Sequence, residues 1–156
     1  MINTLINLLT LENIYLFANW GVVPFWLLLI LIPNHPITKF FCYSIIPFFL
    51  LGGAYTFVAY QIFLEENIFE GFKLYLGLNG LNEIYTNESI RLVFWLHFLA
   101  ISLFTGAWIA RDCIKNMVPK LLSIPCLVVT YFVGPVGIII YWFIRIFYAK
   151  KINFDD

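Results

Sequence analysis

Apolar residues fall along this chain in four blocks, each closed by a polar or charged group. They run from about Ile14 to Ile32, ending at "PNHP"; Phe40 to Phe63, ending at "EEN"; Ile90 to Ala110, ending at "RD"; and Leu121 to Tyr148, ending at "KK". A helix needs about 20 mostly apolar residues to cross a bilayer, and each block meets that length. The expected fold class is all-α: a polytopic membrane protein, a four-transmembrane-helix bundle with kinked helices, forming a single membrane domain over residues 1–156. Pro24, Pro47, Pro125 and Pro135 lie within the blocks. Proline removes one backbone donor from a helix, so bends are expected near Pro24 and Pro135, inside the bundle.

The connectors Pro33–Lys39 and Arg111–Lys120 are short and predict two helical hairpins. The connector Leu64–Ser89 is longer, mixes aromatics with acids and carries glycines at 71, 77 and 80. It reads equally as a short interfacial helix over Ile68–Leu76 followed by a loop, or as a plain solvated loop. Four spans put both termini on one side. Lys73, Arg91, Arg145, Lys150 and Lys151 then face Lys39, Arg111, Lys115 and Lys120 across the membrane, too even a split to orient the chain.

Composition agrees with the pattern. The chain is 62% hydrophobic, 20% aromatic and only 12% charged, and its mean hydropathy is +0.90. Soluble domains carry about twice that charged fraction. A net charge of zero gives a nucleic-acid partner no electrostatic support. The cysteines Cys42, Cys113 and Cys126 are odd in number and widely spaced, which argues against both a disulfide framework and a zinc site. The opening "MINTLINLLTLENIYLFANW" lacks a basic region and a small-residue cleavage site, so it reads as part of the mature protein.

The polar residues inside the apolar blocks are the candidates for chemistry, because they are costly there and face the bundle interior. At about 100° per residue, His97, Phe104, Trp108 and Arg111 share one stripe of the third block, with Asp112 beside it. Ser102 lies roughly 140° from His97 on the same projection. His97 has two open readings, a ligand or proton-transfer group and an interhelical hydrogen-bond donor. No Cys or carboxylate stands at helical spacing from His97, so no metal site is expected. Asn19 and Trp26 share a face of the first block, and Asn19 reads as interhelical glue or as a ligand contact. Gly134, Gly137, Tyr141 and Arg145 form one stripe of the fourth block, and the glycines admit close approach by another helix or by a flat ligand. Buried acidic chains of the kind that serve coupled proton transport are missing from the blocks.

Three segments, "FANWGVVPFWLLLILIPNHPITK", "WLHFLAISLFTGAWIARD" and "PCLVVTYFVGPVGIIIYWFIR", together resemble the abscisic-acid-deficient, neoxanthin-synthase-like family of small membrane proteins. The resemblance covers nearly the whole chain outside Leu64–Ser89. It rests on Asn19, Pro24, Trp26, Pro33 and Thr38, on His97, Leu103, Phe104, Gly106, Trp108 and Asp112, and on Pro125, Cys126, Gly134, Pro135, Gly137, Tyr141 and Arg145. At two positions the chain departs from the family pattern, with Ser102 and Ala107 where the family commonly has Asp and Arg.

The resemblance implies carotenoid metabolism: cofactor-independent opening of a carotenoid epoxide to an allenic alcohol. Such an isomerisation needs an acid at the epoxide oxygen and a base at the adjacent carbon. His97, Asp112, Tyr141 and Arg145 are the residues it assigns to catalysis. Asn19, Trp26, Phe104, Trp108, Gly134 and Gly137 are those it assigns to ligand binding. The departures at Ser102 and Ala107 carry the alternative, a membrane protein that binds a carotenoid or lipid without converting it, or a subunit of a larger membrane complex. The expected partners are membrane lipid and a hydrophobic isoprenoid or carotenoid; homo-oligomerisation stays open. The expected location is a membrane, either a bacterial inner membrane or a plastid-type membrane.

Overall fold

The computed structural model of the chain describes residues 10–65 and 75–150. Its described residues form seven helices: α1 Leu11–Leu31, α2 Pro36–Cys42, α3 Ile46–Glu65, α4 Leu78–Ile84, α5 Glu88–Lys115, α6 Lys120–Phe132 and α7 Gly134–Ala149. Three stretches are long and apolar enough to cross a membrane: Leu11–Leu31, Pro36–Leu64 and Glu88–Lys115. Among the described residues three helical stretches thus meet the length, and neither the fourth span nor the proline bends are confirmed. Pro24 and Pro125 lie inside unbroken helices. Pro47 falls in the first turn of α3, where its missing N–H removes no helical bond. The residues between α2 and α3 are held by Ser44, whose hydroxyl accepts from the Ile46 N–H at 3.2 Å. The interfacial helix considered for Ile68–Leu76 lies outside the described residues except for Tyr75 and Leu76, which belong to no α-helix. The described part of the connector instead contains α4, entered through Gly77 at φ 119°.

The chain packs as two compact units, Met1–Gly21 with Phe49–Leu99, and Val22–Phe48 with Ala100–Asp156. In the first unit, Ile14 and Ala18 of α1, Leu51 and Val58 of α3, and Leu92, Leu96 and Leu99 of α5 are buried. In the second unit, α2 turns back along the end of α1. The Thr38 hydroxyl donates to the Ile32 carbonyl at 2.7 Å, the Cys42 thiol to the Phe25 carbonyl at 3.5 Å, and the Tyr43 hydroxyl to the Pro33 carbonyl at 2.9 Å. The Trp26 ring lies over Gly106 of α5 and meets Tyr131 of α6 edge-on, with ring centres 5.3 Å apart.

The fourth apolar block is a helical hairpin. Helix α6 stops at Val133, whose backbone leaves the helical region at φ −141°, ψ 75°. Pro135 then sits in the first turn of α7, where it starts a helix rather than bending one. Helix α7 folds back so closely that a Cβ on Gly137 would lie 2.5 Å from the backbone nitrogen of Thr130. In one continuous helix those residues would be about 10 Å apart along the axis. Neighbours on α5 give the direction. Gly134, at the tip, faces Ser102. Ser123 of α6 lies beside Cys113, and Tyr141 and Arg145 of α7 reach Asp112. Thus α6 runs from the end of α5 to its middle, and α7 returns to that end. At 13 and 16 residues the arms are about 20 and 24 Å long, each shorter than a hydrocarbon core about 30 Å thick.

The hairpin reverses one sequence-based expectation. In a four-span bundle the Pro33–His35 turn and Lys150 face opposite sides of the membrane. With the hairpin they share a side. Single-cysteine variants Asn34→Cys and Lys150→Cys should therefore react with a membrane-impermeant maleimide from the same side of sealed vesicles. Labelling from opposite sides would restore the fourth span.

Candidate functional site

Within the second unit, Asp112, Tyr141 and Arg145 meet at one point. Asp112 stands in the last turn of α5, where the helix dipole disfavours an anion. Arg145 stands near the end of α7, where the dipole favours a cation. Because the hairpin brings both helix ends together, the carboxylate gains the partner that its own helix denies it. The Arg145 Nε donates to Asp112 Oδ2 at 2.8 Å, and the Tyr141 hydroxyl donates to the same oxygen at 2.5 Å. Burial is nearly complete: Tyr141 is 0% exposed, Arg145 2% and Asp112 9%. Charges so deep are stable only when paired and hydrogen-bonded.

Aromatic rings roof the trio. The Arg145 guanidinium carbon lies 5.0 Å from the Trp142 ring centre. Trp108 stacks on Trp142 at 5.8 Å and meets Tyr141 edge-on at 5.7 Å. Both tryptophans are half-buried, and Phe104, one turn before Trp108 on α5, is exposed. A strip of partly exposed π surface therefore lies directly over a closed acid–base cluster. Such a surface stacks well against a flat apolar molecule.

The other expected site residues separate. Gly134 and Gly137 are buried with Tyr141 and Arg145 as a single face of α7, but their space is taken by Ser102 and by Thr130. Another helix fills it, rather than a ligand. Trp26 is buried over Gly106. Ser102 and Ala107 are also buried, Ser102 at the hairpin tip. Asn19 and His97 belong to the first unit. Asn19 Oδ1 accepts from the Trp95 indole at 2.8 Å, the interhelical bond that one of its two readings expects. His97 is exposed on α5, with the Tyr55 ring 6.3 Å away. Of the stripe read as His97–Phe104–Trp108–Asp112, His97 and Phe104 are exposed, while half-buried Trp108 and buried Asp112 meet the cluster. Trp142 and Thr130 escaped the sequence reading. Trp142 adjoins Tyr141 in sequence, and a tryptophan next to a buried tyrosine near a helix end was the available signal. Nothing in sequence points to Thr130.

The chain matches the family model described as ABA DEFICIENT 4-like over residues 13–141. It is 25% identical over 132 residues to Protein ABA DEFICIENT 4, chloroplastic, of Arabidopsis thaliana, an alignment covering 82% of this chain and 58% of that protein. The chain therefore spans less than two thirds of that relative's length. No solved structure matches it significantly. The family match takes in α1, α5, α6 and the part of α7 that reaches Tyr141, so the chain belongs to the ABA DEFICIENT 4-like family.

Proposed function

We propose that this chain is a membrane protein of carotenoid metabolism that isomerises a carotenoid epoxide by acid–base chemistry. The observation that carries the proposal is the buried Asp112–Tyr141–Arg145 cluster beneath the Phe104–Trp108–Trp142 strip. The strip offers one ring end of a polyene a stacking surface at the outer face of the unit. Beneath it, the Tyr141 hydroxyl serves as acid, Asp112 as base, and Arg145 holds the carboxylate in place through its Nε–Oδ2 bond.

The chemistry balances without a cofactor. Asp112 takes a proton from the chain carbon beside the epoxide. The released electron pair forms the new double bond of the allene to the neighbouring epoxide carbon, the C–O bond at that same carbon breaks, and the oxygen stays on the other epoxide carbon. Tyr141 gives its proton to the departing oxygen, and Asp112 returns the abstracted proton to Tyr141. Substrate and product are isomers, and the trio ends as it began. The location proposed is a plastid-type membrane, favoured by the chloroplastic relative over the bacterial inner membrane.

The test is expression in a violaxanthin-producing host followed by pigment chromatography. An allenic product is expected. Tyr141→Phe should lower its formation about 100-fold or more, the usual effect of removing a general acid. No new pigment from the wild-type chain, beside a working family member, would overturn the proposal. One observation favours a second assignment, binding without conversion: the trio is almost sealed, and among the described residues no buried side-chain polar atom lacks a hydrogen-bond partner. In that case the purified protein carries a chromophore with a shifted absorption spectrum and forms no product.

A further inference from the structure

The hairpin concentrates charge at one end of the second unit. The described cations of this unit are Lys39, Arg111, Lys115, Lys120, Arg145 and Lys150, and its one described carboxylate is Asp112. All of them lie near the end where α1 and α5 stop, α6 begins and α7 stops. Asp112 is engaged by buried Arg145. Among the described residues, the exposed charges at this end, Lys39, Arg111, Lys115, Lys120 and Lys150, are all positive.

A cleft of about 540 Å³ opens into this end. It lies between the Ile32–Pro36 turn, the last turns of α5 and the first turns of α6. Ile32, Ala110, Ile114 and Leu127 make an apolar wall, while His35 and Lys120 are on its polar lining. The His35 Nδ1 accepts from the Ile37 N–H at 3.2 Å, so the neutral ring carries its proton on Nε2, as a donor. Cys113 lines the cleft and also lies against Tyr141, so the cleft adjoins the buried trio.

We propose that this cleft holds an anionic glycerophospholipid, its phosphate against Lys120 and His35 and the start of an acyl chain along the Ile32–Ala110–Ile114–Leu127 wall. Charge and shape both select this occupant. A small inorganic anion leaves the apolar wall uncovered. An uncharged terpenoid makes no use of Lys120 on the lining. A phosphate ester with an alkyl tail satisfies both, and basic residues beside a membrane surface favour anionic lipid. The assignment is independent of the epoxide chemistry.

The experiment is native mass spectrometry of the full chain in a neutral detergent, titrated with phosphatidylglycerol or with phosphatidylcholine. Wild type should retain one phosphatidylglycerol at a concentration about 10-fold lower than phosphatidylcholine, the effect of one or two well-placed cations. Lys120→Glu with His35→Ala should abolish that preference. Ile114→Trp, which fills the cleft and leaves every charge in place, should also lower retention about 10-fold. Lys150→Glu, on the same face but outside the cleft, should change it less than about twofold. Equal retention of the two lipids would overturn the proposal. So would equal losses from Lys150→Glu and Lys120→Glu, which mean diffuse surface attraction. Displacement by millimolar inorganic phosphate would instead make it a free-anion site.

Discussion

Gly137→Ala is expected to be among the most damaging single-methyl additions in this protein. The new Cβ would meet the Thr130 backbone at 2.5 Å from its nitrogen and 2.6 Å from its Cα. Backbone cannot rotate away as a side-chain tip can, so the two arms of the hairpin must move apart. Overpacking of this kind costs about 1–3 kcal/mol. For a chain of this size that is a fall of roughly 3–10 °C in the midpoint of thermal unfolding in detergent. Thr130→Ala should not rescue it, because the obstructing atoms include the backbone. Two glycines provide the scale. At Gly134 a Cβ would meet only the Ser102 hydroxyl, at 3.1 Å, and a hydroxyl can turn. Gly52 lies inside α3 with nothing within 4 Å. Alanine there should be neutral or stabilising by about 0.5–1 kcal/mol, since it favours helix over glycine. The order Gly52, Gly134, Gly137 in rising damage is the expected result. Equal tolerance at Gly137 and Gly52 would refute close contact between α6 and α7.

The same hairpin marks where the sequence was legible and where it was not. Helical periodicity grouped Gly134, Gly137, Tyr141 and Arg145 on one face of α7, and those four are its buried residues. The face is legible there because small and polar residues recur at helical spacing among bulky apolar ones. On α5 periodicity worked less well. Almost every residue is apolar, so hydrophobicity does not distinguish a face packed on protein from a face turned to lipid. The His97–Phe104–Arg111 line was read as inward and is exposed. The packed face is instead the one with Ser102, Leu103, Gly106, Ala107 and Cys113. Small residues, rather than aromatic ones, were the better guide to it. The break at Val133 was hidden for another reason. An apolar run from Leu121 to Tyr148 reads as one span by composition. It would nonetheless extend about 42 Å as a helix, well beyond a core of about 30 Å. That excess, with a Gly-Pro pair at its middle, is the trace that two short, folded-back helices leave in sequence. Whether a proline bends a helix or ends it depends on what packs behind it, and Thr130 behind Gly137 is a tertiary fact.

Asp112→Leu is expected to cause the largest loss of folded protein among substitutions in the second unit. It takes the Asp112 carboxylate away from the Arg145 guanidinium, which is 2% exposed. Breaking a buried pair from one side costs about 3–5 kcal/mol, because the remaining charge has lost its compensation. Tyr141→Phe removes one hydrogen bond and leaves the ion pair, so it should cost only about 0.5–1.5 kcal/mol. Removing both charges is a different case. A buried pair replaced by apolar residues of similar volume is often neutral, so Asp112→Leu with Arg145→Met should recover most of the yield that Asp112→Leu loses. Measured as monodisperse protein after extraction, that recovery shows that the single variant failed by breaking the buried pair from one side. The repaired double variant then separates architecture from chemistry. It keeps the hairpin seated on α5 and the Trp108–Trp142 roof in place, but it has no base and no ion pair. If the trio handles protons, the double variant folds, retains its pigment-facing strip and forms no allenic product. If it folds and still converts the epoxide, Asp112 and Arg145 only hold the ends of α5 and α7 together, and the acid and base belong elsewhere on the chain.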